Sequence, residues 1–488
     1  MALHSVSDRT DARRAIVDIG SNSLRLVIYA APSRVPVILY NEKVAVGLGR
    51  NLAATGMIGD DNFAAGVAAC RRFAAVLKAA GVHDVTTVAT AAARDASDGP
   101  DFLHAVRATG LEPQLLGGKE EAIASAMGVR SAFPRAQGLA GDIGGGSLEL
   151  VDLANGALDR PASFPLGTLR LPALRGKNGR LDAKTIRRML NEGGWPEQTA
   201  PTDYYSVGGT GRALAALDLH LLDVRVPLVH GHIIPADRLS LLREAIAARE
   251  TAELRRIPGI ASARVPMLDD LAALFEVLAA HLGLANFVIS GFGLREGLLF
   301  QALTPDVQEL DPLIEGARGW QQRSGRPGWD GAAVAEWIAP LFAGESRCEA
   351  AIRTAACLVS GGGLEEESEA RAEHAIDVAL LSPWIGIDAR GRELLAQALY
   401  TAWGGKGRPD ALQTTHALAM RWGEAIRLAE RLGANHTAPL ACAWLSRTDD
   451  KLVLTLKRAD EALYGDVVRK QHRTLATAFG SEASLKLA

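Results

Sequence analysis

Residues 18–27 read DIGSNSLRLV and residues 142–151 read DIGGGSLELV, identical at seven of ten positions. In each copy an apolar run ends in Asp, turns through Gly and Ser, and returns. "AIVDIG" before the first turn is a buried-strand run, and "LRLVIY" after it alternates with period two. A strand–turn–strand unit written twice, 124 residues apart, is not a solenoid, whose repeat is several times shorter. It predicts two related α/β lobes facing each other across a cleft, each opened by a hairpin.

The rest of the chain fits that frame. Residues 61–80 (DNFAAGVAACRRFAAVLKAA) have helical spacing, with Asp60 or Asp61 as N-cap and Gly81 as stop. "VTTVAT" (85–90) reads as a strand and "DFLHAVRATG" as a short helix. "EPQLL" and Gly117-Gly118 lead into a helix near Lys119. The pattern restarts at Leu139 with the second hairpin. Then come a helix over 183–191, a strand in "DYYSVGGTG" with a helix from Arg212, and a strand in "ANFVISGFG" with a helix from Leu294. Strand–helix alternation argues α/β. From about Thr304 the texture turns Pro/Gly-rich and polar, then Ala/Leu-rich with helical periodicity, ending in two strand-like runs at most. The predicted division is 14–135 and 136–303 for the two lobes and 304–488 for a mainly helical module with a small α/β tail.

With 488 residues, 48% hydrophobic and 22% charged, the chain can bury large cores. A net charge of −3 does not announce a nucleic-acid binder, so an anion site must be local. Cys70, Cys348, Cys357 and Cys442 form no CxxC pair and are expected to be reduced core thiols. The N-terminus "MALHSVSDRTDARR" lacks an apolar core for a signal peptide. Val277–Leu294 has no charged residue, but Gly283, Asn286 and Gly291 break it into a helix end, a strand and a turn. A cytoplasmic protein without stable membrane insertion is expected.

Four Gly/Ser turns follow strands: Gly20, Ser21, Asn22, Ser23; Gly144, Gly145, Gly146, Ser147; Gly208, Gly209, Thr210, Gly211; and Gly291–Gly293. Glycine lets backbone approach a ligand, and successive N–H groups in such turns make anion nests. Asp18 and Asp142 sit at strand ends beside two of them, with Glu149 on the return strand of the second. Across that hairpin Asp142 and Glu149 can point at one small volume. Carboxylates facing a phosphate nest repel the ligand unless a cation intervenes, and Mg²⁺ takes one or two carboxylates plus phosphate oxygens and water. Alternatively Glu149 pairs with Arg25 or another arginine on a sheet surface.

Six ordered motifs carry a resemblance: AIVDIGSNSLRLVIY (15–29), TAAARDA (90–96), GGKEEAIASAMGV (117–129), GDIGGGSLELV (141–151), VGGTGRALAA (207–216) and SGFGLREGLL (290–299). Over roughly residues 14–302 the chain resembles the exopolyphosphatase / guanosine pentaphosphate phosphohydrolase (Ppx/GppA) family. The resemblance implies two duplicated actin/Hsp70/sugar-kinase-like (ribonuclease H-like) lobes and hydrolysis of terminal phosphoanhydride bonds with Mg²⁺ (Mn²⁺ or a monovalent cation in addition being open). It implies Glu121 as general base, Arg94 as a phosphate-contacting arginine, Asp142 and Glu149 (with Asp18 beside them) as metal acids, and the first three glycine turns as phosphate loops. A homodimer follows from family precedent. Glu120 reads as a solvated neighbour. In the alternative, both glutamates merely favour the first turn of a helix through its dipole.

Other features are weaker. The histidines of VHGH (229–232) read as a surface strand or loop rather than a metal site. Basic clusters at Arg170, Arg175, Lys177, Arg180 and at Arg469, Lys470, His472, Arg473 are candidate tracks for a long polyanion. Long members of the family carry an HD-type helical domain with a metal signature. Here Ser382 and Pro383 stand where its His and acid are expected, and Trp403 where a Tyr-His pair often stands. The leading reading is an exopolyphosphatase acting on inorganic polyphosphate. The alternatives are a guanosine pentaphosphate phosphohydrolase, a catalytically weak alarmone- or polyphosphate-binding regulator, and a kinase of the same superfold.

Overall fold

The computed structural model describes residues 13–488 apart from 31–32, 225, 363–367 and 413. The first twelve residues, read above for a leader, lie outside that set. The chain divides into two compact units, Met1–Glu309 and Leu310–Ala488.

In the first unit both repeated decapeptides are hairpins, and the likeness extends to their neighbours. β1 (Arg13–Ile19), β2 (Leu24–Ala30), β3 (Ile38–Val44), β4 (Asp84–Ala89) and β5 (Pro113–Leu115) form a sheet in the order β3-β2-β1-β4-β5. β6 (Leu139–Ile143), β7 (Leu148–Asp152), β8 (Asp159–Phe164), β9 (Thr202–Val207), β10 (Ile233–Pro235) and β11 (Leu284–Ile289) form a second, β10-β11-β9-β6-β7-β8. Each hairpin has an antiparallel third strand on one side and a parallel strand on the other. β3 and β8, which the sequence reading missed, carry polar residues on short edge positions and show no strong alternation.

Period two decides what each sheet face meets. Leu139, Ile143, Leu148 and Leu150 enter the large core with Trp195, Tyr204, Phe275 and Phe287, where the last two rings stack at 4.4 Å. The opposite face meets the helix Gly118–Ala132, which packs Ala122, Ala126 and Val129 on Ala140, Val151 and Val207. That helix precedes β6 in the chain, yet it covers the second sheet. Conversely, the helix Leu294–Gln301 follows β11 but sets Leu298 and Leu299 against Ile16, Val27 and Tyr29 of the first. The two helices meet closely: a Cβ on Gly297 would lie 1.7 Å from the Ala124 carbonyl oxygen. Packing thus assigns these helices crosswise, which a break drawn between 135 and 136 does not capture.

The second unit has helices Pro312–Ser324, Gly331–Ile338, Arg347–Val359, Ser368–Leu381, Ala389–Ala402, Ala417–Gly433 and Asp466–Ala478. Asp311, Asp330, Ser346 and Asp388 cap four of them through side-chain oxygens. β12 (Ala443–Arg447), β13 (Lys451–Leu456) and β14 (Glu482–Leu487) make a three-stranded sheet, one strand more than expected. Near Ser382 and Pro383 the buried Arg392 donates to the carbonyls of Ala379, Leu380, Ser382 and Trp384. Trp403 is buried and donates to the Ser360 carbonyl. Cys70 and Cys357 are core thiols as expected, but Cys348 is exposed. Among the described residues no helix is long and apolar enough to cross a membrane.

Candidate active site

The repeated Asp-Gly-Ser turns face each other in one cleft of the first unit. In the first, Gly49 N–H and Gly47 N–H donate to the carbonyls of Ser21 and Asn22. In the second, Thr168 N–H and Leu169 N–H donate to those of Gly144 and Gly145. The turns interlock: a Cβ on Gly145 would lie 2.8 Å from the Asn22 amide nitrogen, and one on Gly146 2.9 Å from Ala91 Cβ. Glycine in the second copy is therefore required by the side chains of the first.

Of the residues read from the sequence, Asp18, Gly20, Ser21, Asn22, Ser23, Glu121, Asp142, Gly144, Gly145, Gly146, Ser147, Gly208 and Gly209 line this cleft. Arg94, Glu149 and Thr210 stand behind the lining. Arg94 Nη1 donates to Glu121 Oε2 at 3.2 Å and to the Leu116 carbonyl. Thr210 accepts from Arg264 Nη1 at 2.7 Å. Glu149 is 2% exposed and accepts from Ser163 Oγ at 2.8 Å. The alternative of an arginine partner for Glu149 does not hold, since Arg25 donates instead to Asn41.

Asp142 and Glu149 are direct cross-strand partners, so both carboxyls leave the same face of the hairpin. Glu121, in the first turn of its helix, joins them. Burial and the Asp142 charge push Glu121 up to about 7, against the pull of Arg94. Burial, with Glu121 and Asp142 beside it, holds Glu149 well above the usual carboxylate range. Burial also raises Asp142, although Ser125 Oγ donates to it at 2.5 Å. Asp18 is raised by burial too, but Arg295 Nη1 lies 3.6 Å from it and offsets part of the effect. Glu120 is not merely solvated: its carboxylate accepts the Gly117 N–H at 2.7 Å and caps the helix that carries Glu121.

The sequence reading missed the cations of the cleft. Arg25, Lys43, Arg212, Arg264 and Arg295 all line it. Three of them lay inside quoted motifs, Arg25 in the first hairpin, Arg212 after the GGTG turn and Arg295 after the SGFG turn, and their place beside glycine turns was the available signal. Several members of the basic clusters singled out instead are engaged elsewhere. Arg170 pairs with Asp95 at 2.6 Å and Arg175 is bidentate on Asp270 at 2.9 and 2.8 Å. In the second unit, Arg469 pairs with Asp466, and the buried His472 bonds Tyr464 and the Leu452 carbonyl. Of the VHGH histidines, His232 pairs with the buried Asp218, and His230 Nδ1 accepts the N–H of Gly291.

The Ppx/GppA phosphatase family matches residues 10–305, the span that builds this cleft. The chain belongs to that family. Exopolyphosphatase 1 of Mycobacterium tuberculosis is 27% identical over 309 residues, 60% of this chain and 88% of that protein. Retrograde regulation protein 2 of Saccharomyces cerevisiae is 25% identical over 439 residues, 80% of this chain and 72% of that one, so its similarity runs past the first unit. Among solved structures, an exopolyphosphatase from Cytophaga hutchinsonii superposes with a TM-score of 0.52 at 23% identity, covering 59% of this chain and 97% of that one. The Aquifex aeolicus Ppx/GppA member gives 0.50 at 22% identity, with 59% and 96% coverage. The Ppx/GppA unit thus has the actin-like two-lobed fold of those structures, and the chain is a member of a phosphatase family.

Proposed function

We propose that the chain is an exopolyphosphatase, releasing orthophosphate from the end of inorganic polyphosphate with water as nucleophile. The observation that carries this reading is the placement of Glu121 and Asp142, half-buried, and Glu149, buried, beside two facing glycine turns. Phosphoryl transfer to water needs positioning, charge neutralisation and a proton acceptor, with little covalent participation by protein. The turns supply amide donors for the terminal phosphate. Glu121 accepts the proton of the attacking water, and its raised pKa suits a base working near neutral pH. Arg94 orients that carboxylate through its 3.2 Å bond.

The residues fit a divalent cation. Among the described residues Arg94 is the one cation within ion-pair distance of these three acids, with further side-chain bonds from Ser125 and Ser163. No group of three or more His, Cys, Asp or Glu side chains among the described residues is placed to hold a metal by itself, so a cation there would also need oxygens from substrate or water. Asp142 and Glu149 would hold it. Asp18, already beside Arg295, would anchor that arginine instead. What a bound cation supplies there is neutralisation of the non-bridging phosphate oxygens.

Phosphate release from long-chain polyphosphate and from guanosine pentaphosphate, compared side by side, tests the reading. Wild type should prefer polyphosphate, and Glu121→Ala should lower kcat by ~10²–10⁴, the usual worth of a general base. An unchanged kcat in that variant overturns the mechanism. Preference for the pentaphosphate replaces the substrate, and no turnover of either turns the chain into a binding regulator.

A further inference from the structure

A chain of alternating charges leads out of the cleft from Glu121. Arg94 Nη1 donates to Glu121 Oε2 at 3.2 Å, Arg94 Nε donates to Asp95 Oδ1 at 3.3 Å, and Arg170 Nη2 donates to Asp95 Oδ2 at 2.6 Å. The links come from different sheets. Arg94 and Asp95 lie on the short helix Ala91–Asp95, which follows β4 of the first sheet. Glu121 and Arg170 belong with the second. The Glu121 helix starts against β8, where a Cβ on Gly118 would lie 2.5 Å from Ser163 Cβ. Arg170 follows β8, in a loop whose Thr168 and Leu169 N–H groups donate to the carbonyls of Gly144 and Gly145. The Arg94-Asp95 pair of one sheet is therefore held at both ends by groups of the other.

Asp95 and Arg170 are 33% and 29% exposed, and a pair so exposed contributes little to folding stability. Its consequence is geometric. A long arginine side chain has many rotamers. The bonds to Glu121 and to the Leu116 carbonyl both leave Arg94 Nη1, so they fix one nitrogen of the fork. Asp95 fixes Nε and with it the plane of the guanidinium, and Arg170 holds the second Asp95 oxygen. A general base must stand within hydrogen-bond reach of its water, and a misplacement of about 1 Å is costly in rate.

We propose that Asp95 and Arg170 are positioning residues for the hydrolysis: their ion pair sets the Arg94 guanidinium, and through it the Glu121 carboxylate, when the Gly144–Ser147 turn lies against the first sheet. The proposal rests on Glu121 as the base in the reading above. Neither residue touches the substrate in this role, so the loss of either acts on the chemical step and not on binding.

Two measurements on the full chain test this. First, kcat and KM are measured on long-chain polyphosphate. Asp95→Asn and Arg170→Gln should each lower kcat about three- to thirtyfold with KM within about twofold. Arg170→Lys, which keeps the charge, should recover most of kcat. The double variant should be no slower than the slower single one, as for two ends of one link. In an Arg94→Gln background Asp95→Asn should change kcat no further, because the link to Glu121 is already cut. A rise in KM alone makes Arg170 a substrate cation and overturns the proposal, and so does an undiminished effect of Asp95→Asn without Arg94. Glu121→Ala in the same series keeps the two readings apart. A fall there with unchanged kcat in Asp95→Asn and Arg170→Gln overturns the positioning role and leaves the hydrolase reading standing. No fall there overturns the base and its positioning together. Second, amide hydrogen exchange without substrate reads the link apart from turnover. Asp95→Asn and Arg170→Gln should each speed exchange severalfold both in residues 91–96 and in residues 168–171. Exchange unchanged in both segments overturns the link, whatever the substrate.

Discussion

The Gly20–Ser23 and Gly144–Ser147 hairpins share backbone, register and neighbouring strands, yet differ at one decisive pair of positions. Opposite Asp18 the return strand carries Arg25; opposite Asp142 it carries Glu149. The first copy thus sets Arg25 between Asp18 and Lys43 of β3, whereas the second gathers acids with Glu121. The turn residues differ in the same complementary way, with Ser21 and Asn22 filling the space that Gly145 and Gly146 leave open. The duplicated scaffold thus carries a cation on the return strand of one hairpin and an acid at the equivalent position of the other.

Exchanging the carboxylate of Glu149 for an amide breaks the acidic side of this contrast. Glu149→Gln should lower activity by ~10–100-fold at limiting metal, as loss of a metal-holding or supporting carboxylate does. Arg25→Gln should act on KM, with kcat much less affected. Rates measured across substrate and Mg²⁺ concentration separate the two; a kcat effect in Arg25→Gln as large as that in Glu149→Gln would erase the division between hairpins.

A methyl group tests the interlock. Gly146→Ala meets Ala91 and Ser21, and Gly145→Ala meets Asn22, so each should cost about 1–3 kcal/mol as overpacking and weaken substrate binding. Gly144→Ala has only the Ser147 carbonyl oxygen nearby, at 3.7 Å, and should be much milder. Denaturant midpoints check the order, and equal effects of the three variants would show that the turns separate in solution.

The smallest effect concerns pH. In chelator-treated protein the raised pKa values of Glu121, Asp142 and Glu149 mean that the folded state holds protons more tightly than the unfolded chain. Their stabilising protonation is complete below the unfolded carboxylate range and is lost as pH rises through the folded values, about 7 for Glu121. The melting temperature should therefore fall between pH 6 and pH 8 (a window set by that value), more gently in Glu149→Gln, and added Mg²⁺ should flatten the slope. A chelated wild type whose melting temperature is level over that range would show that the acids do not repel one another.

Much of this was legible in the sequence because it is encoded locally. Alternation around a Gly/Ser turn specifies a hairpin, and the equal offsets of Asp18 and Asp142 specify equivalent positions in it. Asp142 and Glu149 are seven positions apart, and a tight turn between them puts both on one face. What the sequence could not show depends on partners far along the chain. Arg170 resembled a substrate cation until Asp95 was found to hold it. Arg94, read as a phosphate contact, is bonded to Glu121, 27 residues away, a pairing that no local pattern shows. Four of the cleft cations come from β2, β3, the helix Gly209–Leu221 and the 3₁₀ segment Ser262–Met267, and nothing local marks them as neighbours. Periodicity tells a residue which face it occupies. Only packing decides what that face meets, and therefore whether a charge is paired, buried against its like, or left facing a cleft.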